Sequence, residues 1–287
     1  GILIPPSIML VVMGPILNVP VTDLFAAAIM PGLMLAALYT GYTLIRCHLN
    51  PNLGPVVPED LIPDSMKEVW IEFFKGLLPP VLLVGSSLGS ILAGWATATE
   101  GAAMGAVGAI FLTLAYRKLT FESFKSSLLK TLEITTLIMV LVCASNFFGA
   151  VFSRLGTPTM ITEYLMLLDL PPTAILLIIM AFIFLLAWPL EWVPIVLIII
   201  PIVLPLIEQL GFNLTWFGIL VAVNLQTAWL SPPVALSAYF LKGVVPEWDL
   251  ADIYKGMMQF MAIQVVGLAL IIIFPQIVLW LPTYLYG

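Results

Sequence analysis

Charged and metal-binding side chains are scarce in this sequence of 287 residues. Charged residues make up 9% of the chain, and there are two cysteines and one histidine. Cys47 and Cys143 lie far apart in or beside apolar runs, and His48 lies in a polar stretch, which excludes a disulfide framework and a His/Cys metal cluster. The ten basic residues form no nucleic-acid footprint. We therefore exclude nucleic acid as a ligand and expect no cofactor.

Apolar residues are abundant instead. They make up 62% of the sequence, and the mean hydropathy is +1.14, values that indicate an all-α polytopic membrane protein. An enzyme inside a membrane would need paired aspartates, a serine–histidine dyad or a zinc site at depth. The sequence offers isolated carboxylates and one histidine in a linker, so we do not expect an enzyme. The chain opens on Gly1 without the features of a signal peptide, and we interpret it as a piece of a longer membrane domain.

Several apolar runs are long enough to cross a bilayer. Residues 46–64 contain four prolines and predict an extended connection, followed by an amphipathic surface helix over 66–76. Four of the ten basic residues lie within 117–130, and we expect them in one short cytoplasmic loop by the positive-inside rule. They are Arg117, Lys118, Lys125 and Lys130. The predicted spans are 24–45 with Thr22 or Asp23 as its cap, 79–94, 97–116, 131–152 and 253–281.

A polar segment interrupts the apolar run that begins near residue 214. Pro232 and Pro233 lack backbone donors, so the carbonyls before them lose their helical partners. In hydrocarbon such groups are tolerated only where they are buried in protein or line a polar cavity. Hard cations prefer oxygen ligands, and the candidate positions for such an ion are Thr227, Leu230 and Ser231. The candidate ion-binding and substrate-binding residues of this break are Asn224, Thr227, Ser231, Pro232 and Pro233.

Residues 172–207 are too long for one membrane-spanning helix. At about 1.5 Å per residue they would measure about 54 Å, against a hydrocarbon core of about 30 Å. We therefore predict a re-entrant hairpin with its tip at 189–194. Glu191 lies at that tip, and a carboxylate inside a membrane is functional by default. If the tip reaches the interface, Glu191 is merely solvated.

A third polar stretch precedes the span at 97–116. Thr97 or Thr99 can serve as the helix N-cap, and Glu100 then lies in the first turn, where the helix dipole favours an anion. Both a transport role and a purely capping role are open for Glu100. The small residues that follow it permit close helix packing.

The two ends of the chain share a pattern. Pro5-Pro6 is followed by Pro20-x-x-Asp23-Leu24 and a long span, and Pro232-Pro233 is followed by Pro246-x-x-Asp249-Leu250 and a long span. Interrupted segments at corresponding positions of two halves are typical of secondary transporters built from repeats. Ile4, Pro5 and Ser7 are accordingly candidate site residues of a first discontinuous helix.

Domain boundaries follow from this repeat. We assign 1–45 to the end of the first repeat, 46–78 to a polar linker with an interfacial helix, and 79–287 to the second repeat. The hairpin of the first repeat would lie before Gly1, so one ion site would be incomplete in this chain.

Five short motifs occur in order along the chain. They are GILIPPS at 1–7, IMPG at 29–32, TATEGAAMGA at 97–106, NLQTAWLSPPV at 224–234 and LKGV at 241–244. Together they resemble the large membrane subunit of tripartite ATP-independent periplasmic (TRAP) transporters, the DctM-like permeases. The resemblance runs from the first residue to near the last and covers about the C-terminal two-thirds of a family member. Gly101 and Ala235 stand where alanine and glycine are expected, and Glu191 stands where aspartate is more usual.

The resemblance implies an inverted-repeat, elevator-type importer of small organic anions, in particular carboxylates, with sodium as the coupling ion. The implied partners are a small membrane subunit and a soluble periplasmic binding protein, and the implied location is the bacterial or archaeal cytoplasmic membrane. No arginine or lysine lies in the middle of a predicted span, so helix N-termini and bound sodium would have to meet the anion, unless the missing segment supplies a cation. Two alternatives stay open: a single-component sodium–dicarboxylate symporter of related architecture, and a structural membrane subunit inactive alone.

Overall fold

The computed structural model describes residues 3–54, 65–232 and 235–287, and the regular structure of these residues is helical. Short 3₁₀ turns occur at Pro51–Leu53 and Gln226–Trp229, and a π-helical stretch occurs at Ile195–Ile199. The α-helices are α1 (Ile8–Leu17), α2 (Val21–Leu49), α3 (Met66–Leu92), α4 (Ala98–Ala115), α5 (Phe121–Arg154), α6 (Thr157–Met166), α7 (Pro172–Ala187), α8 (Trp192–Pro194), α9 (Ile200–Gln209), α10 (Leu214–Leu225), α11 (Leu236–Val244), α12 (Leu250–Ile273) and α13 (Gln276–Tyr286).

Six helices of the described chain are long and apolar enough to cross a membrane. They are α2, α3, α4, α5, the continuous run from α8 through α9, and α12. Shorter apolar helices occur at Ile8–Leu17, Pro172–Ala187 and Leu214–Trp229. The protein is therefore an all-α polytopic membrane protein, as its composition predicts.

The chain divides into two compact units. One comprises Gly1–Ala36 and Leu132–Gly287, and the other comprises Ala37–Thr131. These boundaries reflect packing, whereas the predicted boundaries at 45 and 78 reflect an internal repeat. The repeat stays a prediction.

The core of the first unit is built around α10. Every residue of this helix from Trp216 to Leu225 is buried, and α1, α7, α12 and α13 pack against it. The N-cap Asn213 accepts a hydrogen bond from the backbone of Trp216 at 3.0 Å. A helix that is apolar all round belongs in the interior of a helical protein, and α10 occupies that place.

The second unit is held together by close packing of α3 against α4. The Ser87 hydroxyl donates to the Gly101 carbonyl at 2.6 Å. A Cβ atom on Gly101 would lie 2.5 Å from the Ile91 side chain, so the space that an alanine would fill at this position is taken by Ile91. The predicted role of the small residues of α4 in helix packing is confirmed, and the departure of Gly101 from the family pattern has a steric reason.

Two predicted helix boundaries are wrong in detail. The helix predicted for 24–45 begins three residues earlier, at Val21, so Asp23 lies in its first turn and is not its cap. The surface helix at 66–76 and the span at 79–94 are one continuous helix, α3, with Ser65 as its N-cap. Prolines 79 and 80 remove two helical hydrogen bonds without ending the helix, because packing against α4 holds it.

The predicted basic loop at 117–130 is also wrong. Only residues 116–120 lie outside the helices, so Lys125 and Lys130 belong to α5. The reason is a reciprocal cap: the backbone of Ser123 donates to the Thr120 hydroxyl, and the backbone of Thr120 donates to the Ser123 hydroxyl, both at 3.1 Å. This pair starts α5 before the two lysines.

The last predicted span, 253–281, is divided. Helix α12 ends at Ile273, and α13 begins at Gln276. Pro275 lies between them and provides no N–H for the Ile271 carbonyl four residues earlier. The Trp216 indole N–H donates to that carbonyl at 3.1 Å, so the core helix α10 compensates for the interruption.

The two helical arms of the predicted hairpin are present in the structure. Helix α7 has 16 residues, and the run from Trp192 to Gln209 has 18. Residues 188–191 form the turn between them. The re-entrant course of this hairpin in a membrane stays a prediction.

Candidate functional site

The apolar helix α10 does not continue through the Ser-Pro-Pro segment. After Leu225 the backbone tightens into the 3₁₀ turn Gln226–Trp229, and helical structure resumes in α11 at Leu236. Pro232 has no N–H to offer the Ala228 carbonyl, which lies buried four residues earlier. The predicted interruption of the helix is therefore present, while Pro233 lies outside the described residues.

Three buried polar atoms close to this interruption have no hydrogen-bond partner among the described residues. They are the Asn224 side-chain oxygen Oδ1, the Trp229 indole nitrogen Nε1 and the Ser231 hydroxyl Oγ. Asn224 and Ser231 are both 0% exposed. A buried polar group without a partner costs about 1–3 kcal/mol, and three such atoms lie within eight residues of this segment.

Other polar groups of the segment are paired and hold it in place. The Asn224 amide Nδ2 donates to the Met180 carbonyl of α7 at 2.8 Å. The Thr227 hydroxyl donates to the Asn224 carbonyl at 2.6 Å, and the Ser231 backbone donates to the Thr227 carbonyl at 2.9 Å. The Asn224 oxygen is thus presented by an amide whose nitrogen is already fixed.

A residue that the sequence analysis missed braces the same segment from α12. Gln264 is 0% exposed, and its amide donates to the Val223 carbonyl and to the Gln226 side-chain oxygen, both at 2.9 Å. These bonds fix the backbone at the point where α10 gives way to the 3₁₀ turn. The signal was an amide side chain inside the apolar run of α12, a polar residue of the kind that joins helices in membranes.

The oxygen atoms of this segment fit a hard cation. The Asn224 amide oxygen and the Ser231 hydroxyl are buried acceptors that no described donor occupies, and the Thr227 hydroxyl, which donates its proton to a carbonyl, keeps its lone pairs available. Hard cations are bound by carbonyl, amide and hydroxyl oxygens of this kind. Of the three residues where sodium is predicted, Thr227 and Ser231 are buried, and Leu230 is half-buried.

An open pocket of about 820 Å³ reaches Leu230 from the side of α11 and α12. Its floor is apolar, and Glu247, Asp249 and Asp252 also line it. The Asp249 carboxylate caps α12 by accepting from the Ala251 backbone at 3.0 Å. Asp252 forms an ion pair with Lys255 at 2.8 Å, and the Lys242 ammonium donates to the Pro246 carbonyl at 2.7 Å, so this approach carries charges of both signs.

The predicted first break is a helix start in the structure. Ser7 is buried and caps α1, accepting a hydrogen bond from the Leu10 backbone at 3.4 Å. Ile4 lies against Gly32 of α2, and Pro5 is buried. Helix α1 packs against α10, α9 and the π-helical stretch. The structure therefore brings the two segments into one packed unit, although Ser7 forms no hydrogen bond with Ser231.

Glu191 lies at the turn between the hairpin arms. Its side chain is exposed and does not cap the following helix, whereas Trp192 and Val193 beside it are buried. Helix α7, the first arm, packs against both the π-helical stretch and the 3₁₀ turn of the interruption. The hairpin and the interruption are thus neighbours, and the role of Glu191 stays a prediction.

Thr97, Thr99 and Glu100 belong to the other unit, Ala37–Thr131. Thr97 is the N-cap of α4, which resolves the choice between Thr97 and Thr99. The Glu100 carboxylate accepts from the Thr97 backbone at 2.8 Å and from its hydroxyl at 2.9 Å, while the Glu100 backbone donates to the same hydroxyl at 3.3 Å. This is a complete capping box, and it accounts for both residues without a ligand.

Comparison with known proteins agrees with this architecture. Residues 1–277 match the family described as "Tripartite ATP-independent periplasmic transporter, DctM component". The sialic acid TRAP transporter large permease protein SiaM of Vibrio cholerae is 29% identical over 100% of this chain and 66% of its own length. The C4-dicarboxylate TRAP transporter large permease protein DctM of Pseudomonas aeruginosa is 29% identical over 99% of this chain and 65% of its own length.

A third relative, the sialic acid TRAP transporter permease protein SiaT of Haemophilus influenzae, is 26% identical over 99% of this chain and 45% of its own length. The chain thus spans between 45% and 66% of the length of these three relatives. The match extends through α1, the capping box, the hairpin and the interrupted helix. The chain belongs to the DctM family, the large membrane component of tripartite ATP-independent periplasmic transporters.

Proposed function

We propose that this chain carries the ion-coupling step of a sodium-driven importer of small organic anions. The observation that supports it best is the pair of buried oxygens, Asn224 Oδ1 and Ser231 Oγ, that lack a partner beside an interrupted helix. In a secondary transporter, unwound backbone at an interrupted helix coordinates the coupling ion. Sodium bound there would satisfy both oxygens and stabilise the interruption.

The route of the cation follows from the same geometry. The carboxylates of Glu247 and Asp249, beside the ion pair of Asp252 with Lys255, draw cations into the pocket that reaches Leu230. From there the ion enters the segment between Asn224 and Ser231. Gln264 keeps that segment in its binding conformation through its two hydrogen bonds.

The substrate class is supported by the names of the relatives. They refer to sialic acid, C4-dicarboxylates, 2,3-diketo-L-gulonate and isethionate, all of which are anions at neutral pH. We infer an organic anion, most simply a carboxylate, for the permease that contains this chain. Bound sodium and the N-terminus of α11 would offset its charge.

The wider assembly is part of the same proposal. A soluble periplasmic protein delivers the anion, a small membrane subunit accompanies the permease, and the unit that contains the interruption moves across the cytoplasmic membrane as an elevator. The hairpin turn at Glu191 faces the site during this movement.

Uptake into proteoliposomes tests the proposal. The permease that contains this chain is reconstituted with its small subunit, and uptake of radiolabelled anion is measured with the purified binding protein outside. Collapse of the sodium gradient should abolish uptake, whereas collapse of a potassium gradient of equal size should not. Uptake that survives loss of the sodium gradient contradicts the coupling. Uptake without the binding protein would instead favour a single-component symporter.

A further inference from the structure

A groove between α3 and α4 has one charged and one apolar side. Its volume is about 600 Å³. Lys75, Lys118 and Tyr116 are among its polar lining residues, and Pro79 and Pro80 are among its apolar ones. The whole groove lies within the unit Ala37–Thr131 and belongs to no part of the proposed transport site.

The backbone holds Lys118 at this groove. Arg117, directly after the C-cap of α4, has a left-handed conformation with φ of 54°. Its N–H bonds to the Leu114 carbonyl at 2.9 Å, and the N–H of Lys118 bonds to the Thr113 carbonyl at 3.0 Å. These two bonds form a Schellman motif, so Lys118 starts from a fixed point beside Thr113.

Lys75 is held on the opposite side. Pro79 has no N–H for the Lys75 carbonyl, and the Tyr116 hydroxyl donates to that carbonyl across the groove at 2.9 Å. This bond ties α3 to the end of α4. Lys75 on α3 and Lys118 in the connection after α4 therefore border one groove.

The groove carries net positive charge. Lys75 and Lys118 are exposed and form no ion pair with any residue that the structure describes. Glu72 is the one carboxylate among the described lining residues, and Arg117 adds a further positive charge next to Lys118. An anion with several oxygens suits two ammonium groups that approach it from different sides.

A second, mostly apolar groove continues from the first. It lies between α4 and α5, has a volume of about 390 Å³ and shares Thr113 and Lys118 with the charged groove. Ile110, Phe124 and Leu128 are among its apolar lining residues. A ligand with a charged head and a long apolar chain would fill both grooves.

Exposed aromatic side chains place this end of α3 and α4 at a membrane surface. Trp70, Phe73, Phe74 and Tyr116 are about half exposed, and the first three stack on one another. Aromatic side chains of this kind collect at the level of the lipid headgroups, and the basic residues after α4 indicate the cytoplasmic leaflet. The charged groove is then at headgroup depth.

We propose that this pair of grooves is a binding site for an anionic phospholipid of the cytoplasmic leaflet. The phosphate lies between Lys75 and Lys118, and an acyl chain follows the apolar groove between α4 and α5. Basic pockets between membrane helices on the cytoplasmic side bind acidic headgroups in this way.

Native mass spectrometry of the detergent-purified protein with added phosphatidylglycerol tests the site. Lys75→Gln combined with Lys118→Gln should weaken lipid binding about tenfold, since each lysine near a lipid surface contributes to the attraction. Lys67→Gln combined with Lys130→Gln removes the same charge at residues that line neither groove and should leave binding unchanged. An equal loss in both pairs, or equal retention of phosphatidylcholine by the unaltered protein, overturns the proposal.

A second variant separates a lipid from free phosphate. Ala109→Phe places a ring in the apolar groove at an exposed position and keeps both lysines. It should reduce retention of phosphatidylglycerol at least threefold, and inorganic phosphate at millimolar concentration should not displace the lipid. Normal lipid binding by this variant, or displacement by phosphate alone, means that the grooves recognise a phosphate and not a phospholipid.

Discussion

Two polar segments interrupt apolar helices in this protein, and they differ in what their side chains contact. At Thr97–Glu100 the hydroxyl, the carboxylate and two backbone N–H groups satisfy one another within a single turn. At Asn224–Ser231 two buried oxygens and an indole nitrogen lack partners among the described residues. A closed local network needs nothing further, whereas buried unpaired oxygens favour a ligand. Polar residues within apolar runs therefore form a helix cap at Thr97–Glu100 and a candidate ion site at Asn224–Ser231.

Replacing Ser231 by alanine should separate ion binding from stability and give the largest effect. Its hydroxyl has no hydrogen bond to lose, so the thermal midpoint should stay the same or rise slightly. The sodium concentration for half-maximal uptake should rise about tenfold to a hundredfold, because an interaction with a charge is worth about 1.5–3 kcal/mol. Sodium titration of uptake in proteoliposomes, with thermal unfolding of the same preparation, measures both.

Thr162→Val is the matched control for this variant. The Thr162 hydroxyl is also buried without a partner among the described residues, but it lies on α6, away from the interruption. Its removal should leave sodium dependence unchanged. A Ser231→Ala protein with normal sodium dependence would show that the unpaired oxygens are a packing accident.

Replacing Gln264 by methionine tests whether the interruption must be held open. The change removes the hydrogen bonds to the Val223 carbonyl and to the Gln226 side chain, and the buried carbonyl then costs about 2 kcal/mol of unfolding free energy. Sodium affinity should also fall, since the ion-binding segment loses its brace. Gln209→Met makes the same change at an exposed position at the end of α9 and should shift the melting temperature little. Full stability with Gln264→Met would contradict the bracing role.

The interruption and the cap can both be predicted from the sequence, whereas the brace that holds the interruption cannot. Pro232 lacks an N–H in any fold, and a threonine three residues before Glu100 forms a capping box by local geometry. Both could be read directly from the chain. The brace from Gln264 could not, because its partner Val223 lies 41 residues away and the packing of α12 on α10 decides their contact.

The same distinction explains the errors in the helix boundaries. The start of α5 depends on a local pair, Thr120 and Ser123, that sequence inspection could have found but did not. The continuity of α3 through Pro79 depends on the distant hydroxyl of Tyr116. Tertiary hydrogen bonds that replace missing local ones are the part that a single sequence does not reveal.

The smallest expected effect belongs to the capping box. Thr97→Ala removes the hydroxyl that accepts from the Glu100 backbone and should lower the unfolding free energy by about 1 kcal/mol. Thr97→Ser keeps the hydroxyl and should be close to neutral. Neither change should alter the sodium dependence of uptake, because the network is complete without an ion.

Glu100→Gln separates a cap from a transport carboxylate. A glutamine at this position can still accept from the Thr97 backbone, so the capping box survives and thermal stability should change by less than about 0.5 kcal/mol. If the carboxylate only closes the cap, uptake keeps its rate and its sodium dependence. A stable Glu100→Gln protein with abolished uptake would show that the charge acts in transport. Satisfied hydrogen bonds at Thr97–Glu100 would then no longer be evidence that this segment is only a helix cap.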